Sequence, residues 1–207
     1  AYNGAVYTFG GVTIPGRQDS VTSMLYQFDM IPDTPGTPQD DSLSSLISTI
    51  PVIGASTSSG IPPPRSDHSA VLSGKYMLIF GGKNSSGGAM KDLWALDLPT
   101  RTWERLPDLV YPSKGDLSRY SHTATICPNA AIDKSDLMLV FSGTDGTQIH
   151  SDLWAYSVGE RRWIFFQVSG KPQGRIDAAM YCSQGGQTWL FGGRTEDQVF
   201  NDLWTLN

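Results

Sequence analysis

The sequence predicts an all-β chain built from one repeated sheet unit. Three observations carry that prediction. A short apolar run ending on Gly-Gly, or on Ser-Gly in one copy, recurs, as Tyr76-Met-Leu-Ile-Phe-Gly-Gly82, Asp136-Leu-Met-Leu-Val-Phe-Ser-Gly143 and Thr188-Trp-Leu-Phe-Gly-Gly193. A Leu-Trp strand follows each run, in Lys91–Asp97, Ser151–Tyr156 and Asn201–Leu206. The spacing inside a copy is nearly constant: 12 positions from Gly82 to Trp94, and 11 from Gly143 to Trp154 and from Gly193 to Trp204. Between copies the Gly pairs lie 71, 61 and 50 positions apart, counting the looser first copy, Ala5–Gly11 with Ser23–Phe28. Fixed cores with variable connections mark a structural repeat.

Each element has its own reason. The apolar runs are four to five residues long, rich in aromatic and branched residues and bounded by turn residues, so they read as buried strands. The Gly pair lets the chain leave that strand with a backbone closed to residues bearing a Cβ, or lets a neighbouring backbone approach. A second Trp follows nine positions after the first, Trp94 to Trp103 and Trp154 to Trp163. Two large rings per unit need burial on both sheet faces, which requires neighbouring units.

This pattern resembles the kelch motif: an apolar run into Gly-Gly, then two aromatic strands. The resemblance covers nearly the whole chain in four copies. It implies a kelch-type β-propeller of the galactose oxidase-like superfamily. The blades fall at about 1–54, 65–107, 119–168 and 175–207, with a polar, Pro-rich, acidic loop at about 32–44. The later copies carry an extra inner strand, beginning at Arg65, Arg119 and Arg175; the first does not. The last stops before its outer strand, so first and last blades are expected to be incomplete parts of a larger ring. Ser48–Ile53 is the expected outer strand of the first blade, with Pro51 suited to an edge.

Fifteen basic residues against twenty acidic ones, net −5, argue against a nucleic-acid surface. No run approaches the roughly 18 apolar residues of a membrane span. Cys127 and Cys182 fall near the ends of successive inner strands; with blades about 10 Å apart, both thiols are expected free and buried. The sequence names no compartment; a cytoplasmic one is the expectation.

Successive strands are antiparallel, so the loops after each Gly pair and the long inter-blade connections gather at one end. Binding is expected there. The candidate residues are Arg65, Arg119, Arg175, Asn84, Asp145, His150 and Arg194. The three arginines start equivalent inner strands and should ring the channel mouth. Guanidinium forks suit carboxylates, so an acidic segment of a partner protein is one ligand; tying blades together is the competing role. His68 and His122 recur once per blade and read as structural hydrogen-bonding groups rather than metal ligands. His150 stands alone in a loop and is expected to be solvated. Asp92, Asp152 and Asp202, before Leu-Trp, are expected to cap loop turns. Asn84-Ser-Ser86 matches a glycosylation triplet.

The expected function is a protein–protein interaction scaffold, with no cofactor, no metal and no catalytic residues. Galactose oxidase shares the implied architecture, but its Tyr/Tyr/His/His copper set has no counterpart here. An oxidase or lyase site around the three arginines, or a structural subunit of a large assembly, are the alternatives.

Overall fold

The computed structural model describes residues 1–12, 21–29, 47–49, 53–54, 60–111, 113–128 and 135–206. The acidic loop and Pro51 lie outside them. Among the described residues every regular element is a strand.

The first sheet holds β1 (Ala5–Phe9), β2 (Leu25–Asp29) and β3 (Ile47–Thr49). The second holds β5 (Ser69–Ser73), β6 (Tyr76–Phe80), β7 (Leu93–Asp97) and β8 (Thr102–Leu106), with the short β4 (Ile53–Gly54) added in parallel along β8. The third is β9 (Thr123–Cys127), β10 (Leu137–Phe141), β11 (Leu153–Ser157) and β12 (Arg162–Phe166). The fourth is β13 (Ala179–Cys182), β14 (Thr188–Phe191) and β15 (Leu203–Leu206). All other pairings are antiparallel between sequence neighbours, the meander of a propeller blade. The expected single outer strand at 48–53 is instead divided. Ile47–Thr49 pairs with β2, whereas Ile53–Gly54 crosses to the next sheet and pairs with Thr102 and Trp103.

The continuous apolar runs follow from burial on two faces. Along β6, Met77 and Ile79 pack toward the first sheet with Phe9, Leu25, Trp94 and Trp103. Leu78 and Phe80 point the other way, into a core shared with Met138, Val140, Trp154 and Tyr156 of the third sheet. Side chains alternate across a strand, so a strand covered on both faces can spare no polar position. In β10 the alternation repeats: Leu137 and Leu139 pack with Cys182, and Phe141 with Leu190 of the fourth sheet. The outer-strand tryptophans reach back to the preceding sheet. Trp103 is fully buried with its ring 5.1 Å from Phe9, and the half-buried Trp163 lies 4.8 Å from Phe80.

The Gly pairs stitch the sheets together. Gly81 and Gly82 have φ of 62° and 95°. The Gly82 N–H donates to the Arg119 carbonyl of the next sheet at 2.9 Å, as Gly11 does to Arg65 and Gly143 to Arg175. A Cβ on Gly82 would lie 2.7 Å from the Ser66 carbonyl and 2.8 Å from His68 Cβ. Gly82→Ala therefore meets both a disfavoured φ and a clash with backbone, and should cost at least about 1–3 kcal/mol. Urea denaturation checks this. Gly74, with φ of 56° and no atom within 4 Å of where a Cβ would stand, is the control that isolates the φ contribution.

The cysteine expectation is overturned. Cys127 and Cys182 form a disulfide with Cα atoms 5.2 Å apart, and no described cysteine is free. The 10 Å separation belongs to flat sheets stacked face to face. Here β9 approaches β5 on one side and β13 on the other, because sheets arranged radially come nearest at their inner strands. Two thiols at equivalent inner-strand ends fall within bonding reach.

Candidate functional site

The register places one end of every sheet in common. Ser69 pairs Phe80, Phe80 pairs Leu93, and Leu93 pairs Leu106. The segments beyond those residues, including 81–92, 142–152 and 192–202, therefore emerge together, and the arginines lie at the same end.

Each arginine is buried: Arg65 and Arg119 are 0% exposed and Arg175 is 1% exposed. A buried guanidinium needs its donors matched and its charge paired. Arg65 does this with both Nη atoms on Asp92 at 2.9 and 2.7 Å, Nη1 also on the Gly81 carbonyl, and Nε on the Pro63 carbonyl. Arg119 repeats the arrangement on Asp152, Ser142 and Leu117, and Arg175 on Asp202, Gly192 and Gln173. Each aspartate also accepts the indole N–H two residues on, from Trp94, Trp154 or Trp204, at 2.6 Å. The aspartates are thus partners of Arg and Trp, which corrects the turn-capping expectation. Burial raises the Asp152 pKa, but the Arg119 fork and charge and the Trp154 N–H outweigh it and hold the carboxyl at about 2. Arg175 is the main cause of the same value at Asp202. The arginine forks are filled within their own sheets, so they present no free donor pair to an acidic ligand.

The histidines pack edge-on against the Phe before the preceding Gly pair, His68 5.9 Å from Phe9 and His122 5.1 Å from Phe80. His122 Nε2 is 2.8 Å from Ser69 Oγ of the neighbouring sheet, which fits a structural hydrogen bond. Burial, helped by the Arg65 charge, lowers His68 to about 4; burial and Arg119 lower His122 well below its ordinary value. An unfolded histidine protonates near 6.5. Stability from keeping both rings neutral is whole above that pH and is lost as pH falls toward 4. The melting temperature should fall between pH 7.5 and 4.5, and the slope should flatten in His122→Ala. A pH-independent melt over that window would contradict the assignment. The Asp–Arg contribution is lost separately, between pH 4 and 2.

The other candidates lie at the common end. Asn84 Oδ1 accepts from Ser86 N, Ser86 Oγ and Gly88 N. Asp145 Oδ1 likewise accepts from Thr147 N, Thr147 Oγ1 and Gln148 N. Both brace their loops. His150 is not solvated as expected: its side chain is 9% exposed, with Nε2 3.7 Å from Asp145 Oδ2. Burial lowers its pKa. Arg194 pairs with Asp177 at 2.9 Å, and Lys83 with the equivalent Asp67 at 2.7 Å. Lys83 also lies over the Tyr120 ring at 5.1 Å. Asp67, Ser121 and Asp177 form a backbone ladder across three sheets, each N–H donating to the previous carbonyl at 2.9 and 3.0 Å. All three have φ between 51° and 57°. Lys83, Tyr120 and the ladder are site residues the sequence reasoning passed over. Their signal was the position two after each arginine, Asp67, Ser121 and Asp177. A polar groove of 500 Å³ opens between the 144–151 loop and Thr195–Asp197. Among the described residues no three His, Cys, Asp or Glu side chains converge as metal ligands would.

The KLHDC2/KLHL20/DRC7 Kelch-repeats domain model matches residues 1–207. The chain belongs to the kelch-repeat family. Curated relatives of this kelch domain include the dynein alpha chain of the flagellar outer arm from Chlamydomonas reinhardtii, 29% identical over 153 residues. Tip elongation aberrant protein 1 from Schizosaccharomyces pombe is 30% identical over 148 residues, and human Kelch domain-containing protein 10 is 26% identical over 160. These alignments cover 70%, 68% and 70% of this chain, but 3%, 12% and 34% of the relatives. The kelch domain thus spans a minor part of each relative's length.

Proposed function

We propose that this kelch domain is a protein-binding module that presents its long-loop end to a partner protein. The contact residues are the exposed or loop-bracing groups there: Lys83, Asn84, Tyr120, Asp145, His150 and Arg194. The observation that carries the reading is the common emergence of three loop sets from edges fixed by identical Arg–Asp–Trp units. A rigid frame with variable polar loops suits recognition. Arg65, Arg119 and Arg175 support that face from beneath. An oxidase or lyase site at the channel mouth is the competing reading; the Arg–Asp pairing of all three arginines favours a supporting role for them over substrate contact.

A photo-crosslinking residue at Arg194, compared with one at Lys75 on the short-turn end, tests the reading. Crosslinks to a discrete partner from Arg194 alone are expected. Equal crosslinking from both ends, or none from Arg194, would count against it. The similarity to part of a flagellar outer-arm dynein chain favours a second reading, a domain built into a large assembly. Size-exclusion of the native complex separates the two.

A further inference from the structure

We infer that a second binding site lies on the outer rim of the third sheet, and that it takes an extended acidic segment of a protein. The groove lies at the outer margin of the same long-loop end, on the connections that follow β8 and β12, so it adds a second contact beside the face of the preceding reading.

The rim carries unpaired positive charge. Lys75, Lys83 and Lys91 each lie against an aspartate, Asp97, Asp67 and Asp116. Lys114 and Lys171 have no carboxylate partner among the described residues. Both line one groove of 480 Å³, with Tyr111, Phe165, Phe166 and Val168 among its other walls and no Asp or Glu. In a chain of net charge −5, two unpaired lysines sharing an acid-free groove form a local field opposite to that of the whole.

The floor of the groove is aromatic and fixed. Trp154 is fully buried, with Phe165 4.8 Å away and Tyr111 5.4 Å away. Tyr111 itself is 40% exposed. Lys114 Nζ sits 4.6 Å above the Phe165 ring, which holds the ammonium at the groove without neutralising it. A ligand carboxylate can pair with it there while an apolar side chain rests on Tyr111.

The backbone explains why the ligand is extended. β12 is the outermost strand of its sheet, and no described strand pairs with its outer edge. On the equivalent strand β8 that edge is occupied by β4, through Ile53 and Gly54. An exposed edge offers N–H and C=O groups to an added strand, and the β4–β8 pairing shows that this sheet geometry accepts one. Nucleic acid is the other polyanion that lysines and aromatics attract; the acidic balance of the chain disfavours it.

The test uses the whole chain and a fluorescein-labelled short peptide of Glu–Ser repeats around one central Phe, read by fluorescence anisotropy. Saturable binding that weakens with added salt is expected. The Gln-for-Glu peptide should bind roughly tenfold or more weakly, and so should the wild-type peptide to Lys114→Glu/Lys171→Glu. Both lysines are exposed, so the double variant should melt like wild type. No saturable binding, equal affinity of the Gln peptide, or unchanged affinity of the variant would overturn the inference. Preferential displacement of the peptide by a single-stranded oligothymidine would also overturn it. Crosslinking from Arg194 in the double variant reports separately on the loop face. Lost peptide binding with intact crosslinks supports a second site, whereas crosslinks lost in the double variant would show one shared partner surface and overturn the second site, leaving the loop-face reading standing.

Discussion

Arg119→Ala should destabilise the domain by about 3–5 kcal/mol in urea denaturation, more than a surface arginine could. The guanidinium is 0% exposed and holds both Asp152 oxygens at 2.8 and 3.0 Å, the Ser142 carbonyl at 3.0 Å and the Leu117 carbonyl at 3.2 Å. Truncation leaves Asp152, itself mostly enclosed, as a charge without a partner. It also frees two carbonyls that the fork had satisfied, and each unpaired buried group carries its own desolvation cost. Arg119→Lys should recover little. A single ammonium cannot reach the two carboxylate oxygens and two carbonyls that a planar fork spans. Asp152→Asn should cost less than Arg119→Ala, since the amide keeps one acceptor for the Trp154 indole or the fork. With Asp152 held at about 2, the wild-type contribution persists to pH 4 and disappears below it. If Arg119→Ala melts within a degree of wild type, the buried unit is not what holds the loop end together.

The same unit shows how far the sequence could be read. Repeated apolar runs, Gly pairs and tryptophans fix strands, their order and their two-sided burial, because each depends on a local pattern. A further clue links distant positions. Gly10 and Gly81 face His68 and His122, whose rings would lie 3.2 and 3.0 Å from a Cβ at either glycine. The third copy has Ser142 in place of Gly and Ala178 in place of His. With Ala178 there instead of a ring, the Ser142 Oγ lies 2.6 and 2.7 Å from the His150 and Arg175 carbonyls, to one of which its single proton goes, and accepts from the Arg175 N–H at 2.7 Å. What stayed hidden was distance between blades. Nothing local reports how near two inner strands come, so the sequence alone does not pair Cys127 with Cys182. Nor does local sequence say that Lys75, Lys83 and Lys91 find aspartates while, among the described residues, Lys114 and Lys171 do not.

Removing the disulfide, by Cys127→Ala with Cys182→Ala, should cost about 2–4 kcal/mol. The bond closes a loop of 55 residues between β9 and β13. On the chain-entropy account a loop of that length restricts the unfolded state by about 4 kcal/mol, an upper value because denatured chains retain some compactness. Burial adds to the case: Cys127 and Cys182 are 7% and 5% exposed, within the core of Leu137, Leu139 and Ala155. The alanine pair keeps much of that apolar contact, so most of the loss should come from the unfolded chain. Two measurements separate the causes. The denaturant slope should rise in the double variant, because an uncrosslinked chain exposes more surface. Wild-type protein melted in strong reductant should approach the double variant, whereas the variant should ignore the reductant. A wild-type melt unaffected by reductant, with both thiols titrating as free, would show that the two inner strands are held by packing and hydrogen bonds alone.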